Sequence, residues 1–466
     1  MKQYLEAKLP ANEEINTIII GGGIVGASLF RDLALHGKEV LLINKGDFGS
    51  QTSWRSSKML HGGIRYLEHA ELGLVREALV EKNRWLKLAS HLCYEEPFCM
   101  PVYKDSKYPF LIYNMGFKIY DFLSAYTNSP HRILWKKETL KEFPLLQDKG
   151  LKGSGIYFDA IVDDVKLTLE CIYDGLLEEN SYAANHFEVS EILKTDNKYT
   201  VKMIDQLGQK EYTYIAKNVV FATGPFTDQL MHKLKLPWKD RLAPSKGIHL
   251  WLDPEALPLK NPVVLQTADQ RIIFVIPQKE AVLVGTTESK TDEDFFNIEA
   301  KPEEIDYLME NLKTYFPKAD LNHDHIISTF AGIRPLVKSG GLVGKLGKLS
   351  RKHKVFTIMP NMHAIVGGKL TTFRTMVQSL ARNICTKEGT KYDNKKALLE
   401  FRQTSTIPPF EKIQITEETI NNILQNEKVR TFDDLIARRI GVPDKLCQYK
   451  ISKEQIHQTF ENYTQF

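Results

Sequence analysis

The sequence predicts an α/β fold in which a parallel nucleotide-binding sheet is interleaved along the chain with an antiparallel-sheet domain. Three observations predict it. TIIIGGGIVGAS (17–28) joins a β-branched run to a glycine cluster and a helical pattern. A second apolar run, EVLLI (39–43), follows that helix. Further on, IHLWL (248–252), RIIFVIP (271–277) and AVLVGTT (281–287) alternate as antiparallel strands do, and HDHIISTFAGIRPL (323–336) extends the series.

Thr17–Ile20 reads as a buried parallel strand. Val25, Leu29 and Leu33 give Ile24–His36 helical spacing, and Gly37 stops the helix. Gly21, Gly23 and Gly26 therefore fit G-x-G-x-x-G in the strand–turn–helix setting that gives the motif meaning. Gly21 permits the tight turn, Gly23 lets the backbone approach a pyrophosphate, and Gly26 lets helix pack close on strand. N–H groups at the helix start face the anion. Asn44 stands where a dinucleotide-binding unit usually carries Asp or Glu. Its amide can still bond ribose hydroxyls but loses the charge-assisted bond of a carboxylate. That predicts weaker adenosine anchoring with the same cofactor; Lys45 alone makes no 2′-phosphate pocket.

An NAD dehydrogenase would continue here into another βα unit. Instead GDFGSQTSWRSSKMLHGGIRYLEHAELGLVREAL (46–79) opens with a Ser/Thr/Gly-rich loop and runs into HGGIRYLE. Ser53, Ser56, Ser57 and Lys58 put hydroxyls and a cation beside the glycine loop. VVFATG (219–224) is a buried strand ending in a small-residue turn. In GGKLTTFR (367–374), Gly367 and Gly368 bring the backbone close to something flat, and Lys369 opens a helix towards Ile384.

These pieces, in this order, resemble the FAD-dependent glycerol-3-phosphate dehydrogenases within the D-amino-acid-oxidase-like flavoproteins. The matching stretches are GGGIVGA (21–27), KGDFGSQTS (45–53), SSKMLHGGIRYLE (56–68), LVREAL (74–79), DAIVDDVKLTLE (159–170), ATGPF (222–226), SKGIHL (245–250), FVIPQ (274–278), VGTTE (284–288), AGIRPL (331–336), SRKH (350–353) and GGKLTTFR. They cover roughly residues 15–385. The resemblance implies a Rossmann-like FAD-binding domain from 15–90, 150–235 and 325–385, and an antiparallel-sheet substrate or cap domain from 91–149 and 236–324. A linker and a shortened helical C-terminal region fill 386–466. It implies FAD contacts at Gly21, Gly23, Gly26, Asn44, Lys45, Thr52, Ser53, Ser57, Lys58, Gly63, Ala222, Thr223, Gly224, Gly332, Gly368, Lys369, Leu370 and Thr371. A helix N-terminus carries about half a positive charge. Aimed at the flavin N1–C2=O edge, the one after Lys369 would stabilise the reduced ring.

Arg65 follows HGGI, Arg334 follows AGI and Lys369 follows GG, so each cation sits where backbone can approach a ligand. Arg presents a fork suited to phosphate oxygens, and Tyr66 adds a hydroxyl. The resemblance implies that these residues bind the substrate phosphate and polarise its hydroxyl, which excludes neutral and amino-acid substrates. Alcohol oxidation needs a base; His249 and His61 are the candidates by residue type. Lys369 or Arg334 stabilising the alkoxide, with water as base, is the other reading.

The implied activity is oxidation of sn-glycerol 3-phosphate to dihydroxyacetone phosphate by hydride transfer to flavin N5, with electrons passed to quinone. Alternatives are an oxidase reducing O2 to H2O2, a related flavoenzyme for another anionic hydroxy acid, and a non-catalytic flavin sensor. Retention of Arg65, Arg334 and Lys369 argues against the last.

Residues 104–137 are aromatic-rich and flanked by basic residues. They suggest an amphipathic helix around Pro109–Leu123 that either lies on a membrane surface or covers the substrate domain. TKEGTKYDNKK (386–396) reads as a linker, and helical segments follow near 415–427, 431–440 and 452–463. Roughly half of the family's C-terminal domain is missing, which puts its dimerisation and docking roles in doubt, and no oligomeric state follows. Lys352 and Glu288 also depart conservatively from the family's usual acid and Asp.

The net charge of +4 gives no case for nucleic acid. Five scattered cysteines (93, 99, 171, 385 and 447) without a CxxC pair point to neither disulfides nor a metal. The start lacks an apolar core and no 18-residue apolar run occurs, so the expectation is a cytoplasmic protein, peripheral on the inner membrane's cytoplasmic face if it contacts lipid.

Overall fold

The structure is a computed structural model that describes residues 9–278, 281–291, 293–338, 353–402, 404–408, 415–441 and 452–464. Lys352 and Cys447 lie outside the described residues.

Strand β1 (Glu14–Ile20), helix α1 (Ile24–Leu35) and strand β2 (Val40–Asn44) form the βαβ unit that the glycine cluster demands. β1 pairs parallel with β2 on one side and with the strand Glu211–Phe221 on the other. Ile18, Ile19, Leu41, Leu42, Val219 and Val220 are wholly buried, as expected of strands covered on both faces. Among the described residues this sheet has eight strands. Its main path runs Lys354–Met359, Met362–Val366, Glu211–Phe221, β1, β2 and Ser181–Asn185. The strands Phe187–Thr195 and Lys198–Asp205 join Glu211–Phe221 as an antiparallel meander.

Among the described residues a second sheet of nine strands runs Ile326–Arg334, Ser245–Leu252, Val282–Gly285, Ile272–Pro277, Val263–Gln266, Cys93–Tyr103, Leu151–Val162 and Met59–Leu60, with Arg132–Trp135 also on Leu151–Val162. The helix Phe110–Leu123 lies flat on it because Gly153 and Gly155 have no side chains. A Cβ on Gly155 would stand 1.8 Å from the Phe117 ring, and one on Gly153 would stand 2.8 Å from that of Phe110.

The chain divides into two compact units, 1–54 with 163–244 and 334–466, and 55–162 with 245–333. Segments 55–90, 150–162 and 325–333, expected with the nucleotide domain, fall in the second unit, and 236–244, expected with the cap, falls in the first. The predicted linker is fastened along α1. Tyr392 stacks on His36 at 4.4 Å and donates its hydroxyl to Asp32, while Lys38 bonds Thr390 and Lys396 bonds the Leu35 carbonyl. Its polar composition serves the buried polar end of α1 instead of solvent.

The predicted C-terminal helical segments are present as Glu417–Asn426, Asp434–Gly441 and Lys453–Thr464, packed around Ile420, Leu435 and Ile456. Cys93, Cys99, Cys171 and Cys385 are buried free thiols. No helix among the described residues is long and apolar enough to cross a membrane.

Candidate active site

Gly21, at φ +110°, turns the end of β1 in a conformation open to glycine. A Cβ there would meet the Ala222 carbonyl at 2.5 Å, and a Cβ on Gly26 would meet the Gly21 carbonyl at 1.8 Å. Gly23 caps α1 in extended backbone, and the Ser53 hydroxyl accepts the first helical N–H, that of Ile24, at 2.9 Å. The loop is a cradle that side chains would fill, at a helix start whose N–H groups suit an anion, so these residues fit the pyrophosphate of a dinucleotide. Ala222 continues the strand end through a bond to Ile20, and Thr223 and Gly224 (φ +53°) form a turn tied by Thr227. Thr52 is half-buried in the loop leading to Ser53.

Asn44 does something its residue type did not announce. Its Oδ1 accepts the Gly22 N–H at 2.8 Å, and its Nδ2 donates to the carbonyls of Gly46 (3.0 Å) and Asp47 (2.8 Å). With both amide protons used, a ribose hydroxyl can at most donate to Oδ1. Lys45 is exposed and pairs with Glu188 at 3.3 Å.

The same unit carries Gly367 (φ +78°) and Gly368 (φ +89°), then Lys369, then a 3-10 turn Leu370–Thr372 leading into the helix Phe373–Lys387. Thr371 is buried, while Lys369 and Leu370 are half-buried. Arg334, half-buried, ends the strand Ile326–Arg334.

In the second unit, left-handed Gly63 (φ +77°) starts the 3-10 turn Ile64–His69, which presents exposed Arg65 and half-buried Tyr66. His249 lies opposite Gly285 in the sheet; a Cβ there would stand 2.2 Å from the imidazole. Its ring stacks on Phe330 at 4.8 Å, and Nε2 shares a 2.9 Å hydrogen bond with Ser57 Oγ. Ser57, expected on the cofactor, is thus placed on the candidate base. His61 tilts against Phe274. Lys58 takes a left-handed φ of +52°, with its N–H on Ser56, and Gly332 passes under Arg55, where a Cβ would meet the Arg55 carbonyl at 2.8 Å.

Two carboxylates escaped the sequence reading. Asp159 is buried, and its Oδ1 accepts the Gly62 N–H (3.1 Å) and the Tyr120 O–H (2.7 Å), so it holds the loop that leads to Arg65. Burial pushes its pKa up to about 6, against the opposing charge of Lys82. The available signal was an acid inside the apolar run IYFDAIV. Asp47 is the other; its partners lie far along the chain, so no local pattern reveals it. The atoms of Asp47, His186 and Asp434 lie within metal-binding distance of one another, but Arg438 and Arg439 already bond those two carboxylates.

Residues 16–369 match the family of FAD dependent oxidoreductases. Over 378 residues the chain is 35% identical to the aerobic glycerol-3-phosphate dehydrogenase of Bacillus subtilis, covering 80% of this chain and 68% of that protein. It belongs to the FAD-dependent oxidoreductases, in their glycerol-3-phosphate dehydrogenase group. Its cofactor is FAD. A Staphylococcus aureus protein of the same name is 34% identical over 377 residues, with 79% and 66% covered, so this flavoprotein spans about two thirds of the length of such relatives. The glycerol-3-phosphate dehydrogenase of Bacillus halodurans, solved in complex with FAD, superposes with a TM-score of 0.67 at 28% identity, covering 84% of this chain and 68% of that one.

Two outcomes follow for this flavoprotein. Asn44→Asp sets a carboxylate against two carbonyl oxygens, so it is expected to cost about 1–3 kcal/mol of stability without tightening FAD. Thermal melts and an FAD titration check this, and tighter FAD at unchanged stability contradicts it. Asp159 binds its proton more strongly folded (pKa about 6) than unfolded (about 3.9). It therefore makes the protein lose stability as pH rises between those values. Asp159→Asn should flatten that limb in urea titrations across pH 4–7, and an unchanged slope contradicts the assignment.

Proposed function

We propose that the chain oxidises the C2 hydroxyl of sn-glycerol 3-phosphate to the ketone of dihydroxyacetone phosphate and delivers the electrons to a quinone. The observation that carries this is the 35% identity, over 378 residues, to a protein named aerobic glycerol-3-phosphate dehydrogenase. Bound FAD supplies the hydride acceptor. Arg65, Arg334 and Lys369, with the Tyr66 hydroxyl, bind the phosphate dianion through charge-assisted bonds, and Arg334 and Lys369 also steady negative charge on the reacting oxygen. His249 accepts the hydroxyl proton, oriented by Ser57 and the Phe330 face, with His61 the other candidate base. The positions assigned to FAD retain that role, Ser57 among them, whose hydroxyl also holds His249.

Electron delivery to a quinone calls for contact with a membrane, and the helix Phe110–Leu123 supports it. Leu111, Ile112, Met115, Ile119 and Phe122 are exposed along one face, while Phe117 and Tyr120 are buried on the other. Exposed Lys104, Lys118 and Lys137 lie in or near this stretch and suit anionic headgroups. We place the protein peripherally on the cytoplasmic face of the inner membrane.

Glycerol 3-phosphate should bleach the yellow holoprotein without oxygen, whereas glycerol should not; a flavin that stays oxidised rejects the substrate. Arg334→Leu should raise KM about 30-fold or more at unchanged flavin content, and loss of flavin instead would make Arg334 structural. Reoxidation by a soluble quinone, set against peroxide release in air, identifies the acceptor.

A further inference from the structure

The turn after β2 is held from two directions. On one side it is tied to the glycine loop: Gly22 N–H donates to Asn44 Oδ1 (2.8 Å), Gly49 N–H donates to the Gly22 carbonyl (2.9 Å), and the Phe48 ring packs where a Gly22 Cβ would stand. On the other side the carboxylate of Asp47, a residue 2% exposed, is gripped by a segment nearly four hundred residues later in the chain. Arg438 Nε and one terminal nitrogen of Arg439 each reach Oδ2 at 2.5 Å, and the other Arg439 terminal nitrogen (2.9 Å) and Asn185 (2.8 Å) reach Oδ1. Asp47 also lends its carbonyl to the turn, accepting from Asn44 Nδ2 (2.8 Å) and the Ser50 hydroxyl (2.7 Å).

The arginines are fixed in turn. Arg439 donates to the carbonyls of Glu427 (2.7 Å) and Lys428 (3.2 Å). Arg438 donates to Asp433 (2.6 Å) and Asp434 (3.0 Å). Asp434 accepts the N–H groups of Arg430 and Thr431 and the ring nitrogen of His186. Burial alone would raise the Asp434 carboxyl; His186 and the two guanidinium groups hold it well below the usual carboxylate range. Buried charges persist only with partners of this quality, and losing one partner leaves a strongly disfavoured isolated charge.

We propose that the segment Asp434–Gly441 is a working part of the cofactor site. Arg438 and Arg439 are positioning residues that hold the 44–50 turn, and through Asn44 and Gly49 the glycine loop, in the form that retains FAD. This C-terminal helical region is thereby required for cofactor affinity. This holds whatever the substrate, so it stands or falls separately from the glycerol 3-phosphate assignment.

Arg402 provides the control. It lies outside Asp434–Gly441, with a side chain 42% exposed, and bonds Asp174 (2.8 Å), Glu178 (2.7 Å) and the Asp174 carbonyl (2.9 Å), none of them in the turn. The full chain, stripped of flavin, is titrated with FAD by fluorescence quenching as wild type, Arg438→Gln and Arg402→Gln, with thermal melts on each apoprotein. Arg438→Gln should raise the FAD Kd about tenfold, and Arg402→Gln by less than about twofold. Hydrogen exchange at the Gly22 and Gly49 amides should quicken in Arg438→Gln alone. Equal changes in Kd for the two variants, or unaltered exchange at those amides, would overturn the proposal. If Arg438→Gln does not fold, Arg438→Lys enters the same comparison, keeping the charge but lacking the fork that spans Asp47 and Asp434.

Discussion

The nucleotide-binding unit depends on the crossing of the Gly21 carbonyl over residue 26, where a side-chain carbon would stand 1.8 Å from that oxygen. A peptide plane and a helix start occupy space that any other residue would claim. This contact seats α1 hard against the end of β1, beside Ala222 at the end of Glu211–Phe221. The three elements then leave bare backbone at the carboxyl ends of parallel strands, where open α/β sheets bind their ligands. The family fixes FAD as the ligand; the missing Cβ atoms make the room.

A helix held that deeply must satisfy its polar residues internally. Arg31, Asp32 and His36 of α1 and its end are each at most 5% exposed. Arg31 is paired with Asp174 at 2.5 Å and bonded to the Leu399 carbonyl, while Asp32 and His36 are served by Tyr392. The polar stretch after residue 385 is therefore structural partner material for α1. The second unit shows the same logic: buried Asp159 organises the loop before Arg65 by accepting Gly62 N–H and Tyr120 O–H together. In both units a buried carboxylate fixes a loop, Asp47 the turn after β2 in one and Asp159 the turn before Arg65 in the other.

What the sequence made legible follows from range. β1, α1 and β2 declare themselves through local periodicity and glycine spacing; α1 and β2 end within one residue of expectation, while β1 starts three residues earlier than the β-branched run announced. The antiparallel strands around Ser245–Leu252 and Ile272–Pro277 and the helix Phe110–Leu123 were visible by alternation and amphipathicity. Asn44 was conspicuous, yet its bonds to Gly22, Gly46 and Asp47 depend on a backbone turn that residue type does not encode. The Ser57–His249 contact joins residues 192 positions apart, and the Asp47 clamp joins residues 391 and 392 apart. Pairings of that kind have no local signature, so Asp47, Arg438 and Arg439 read only as ordinary charges.

Cofactor retention, on this physical picture, rests on backbone approach at the glycine crossing. Gly26→Ala tests it most directly, with FAD content and affinity measured on the purified chain alongside its thermal melt. The variant should emerge largely without flavin, bind added FAD far more weakly and melt earlier, because the Gly21 carbonyl and the helix start must move apart. A variant that keeps wild-type flavin content, affinity and melting temperature would contradict it.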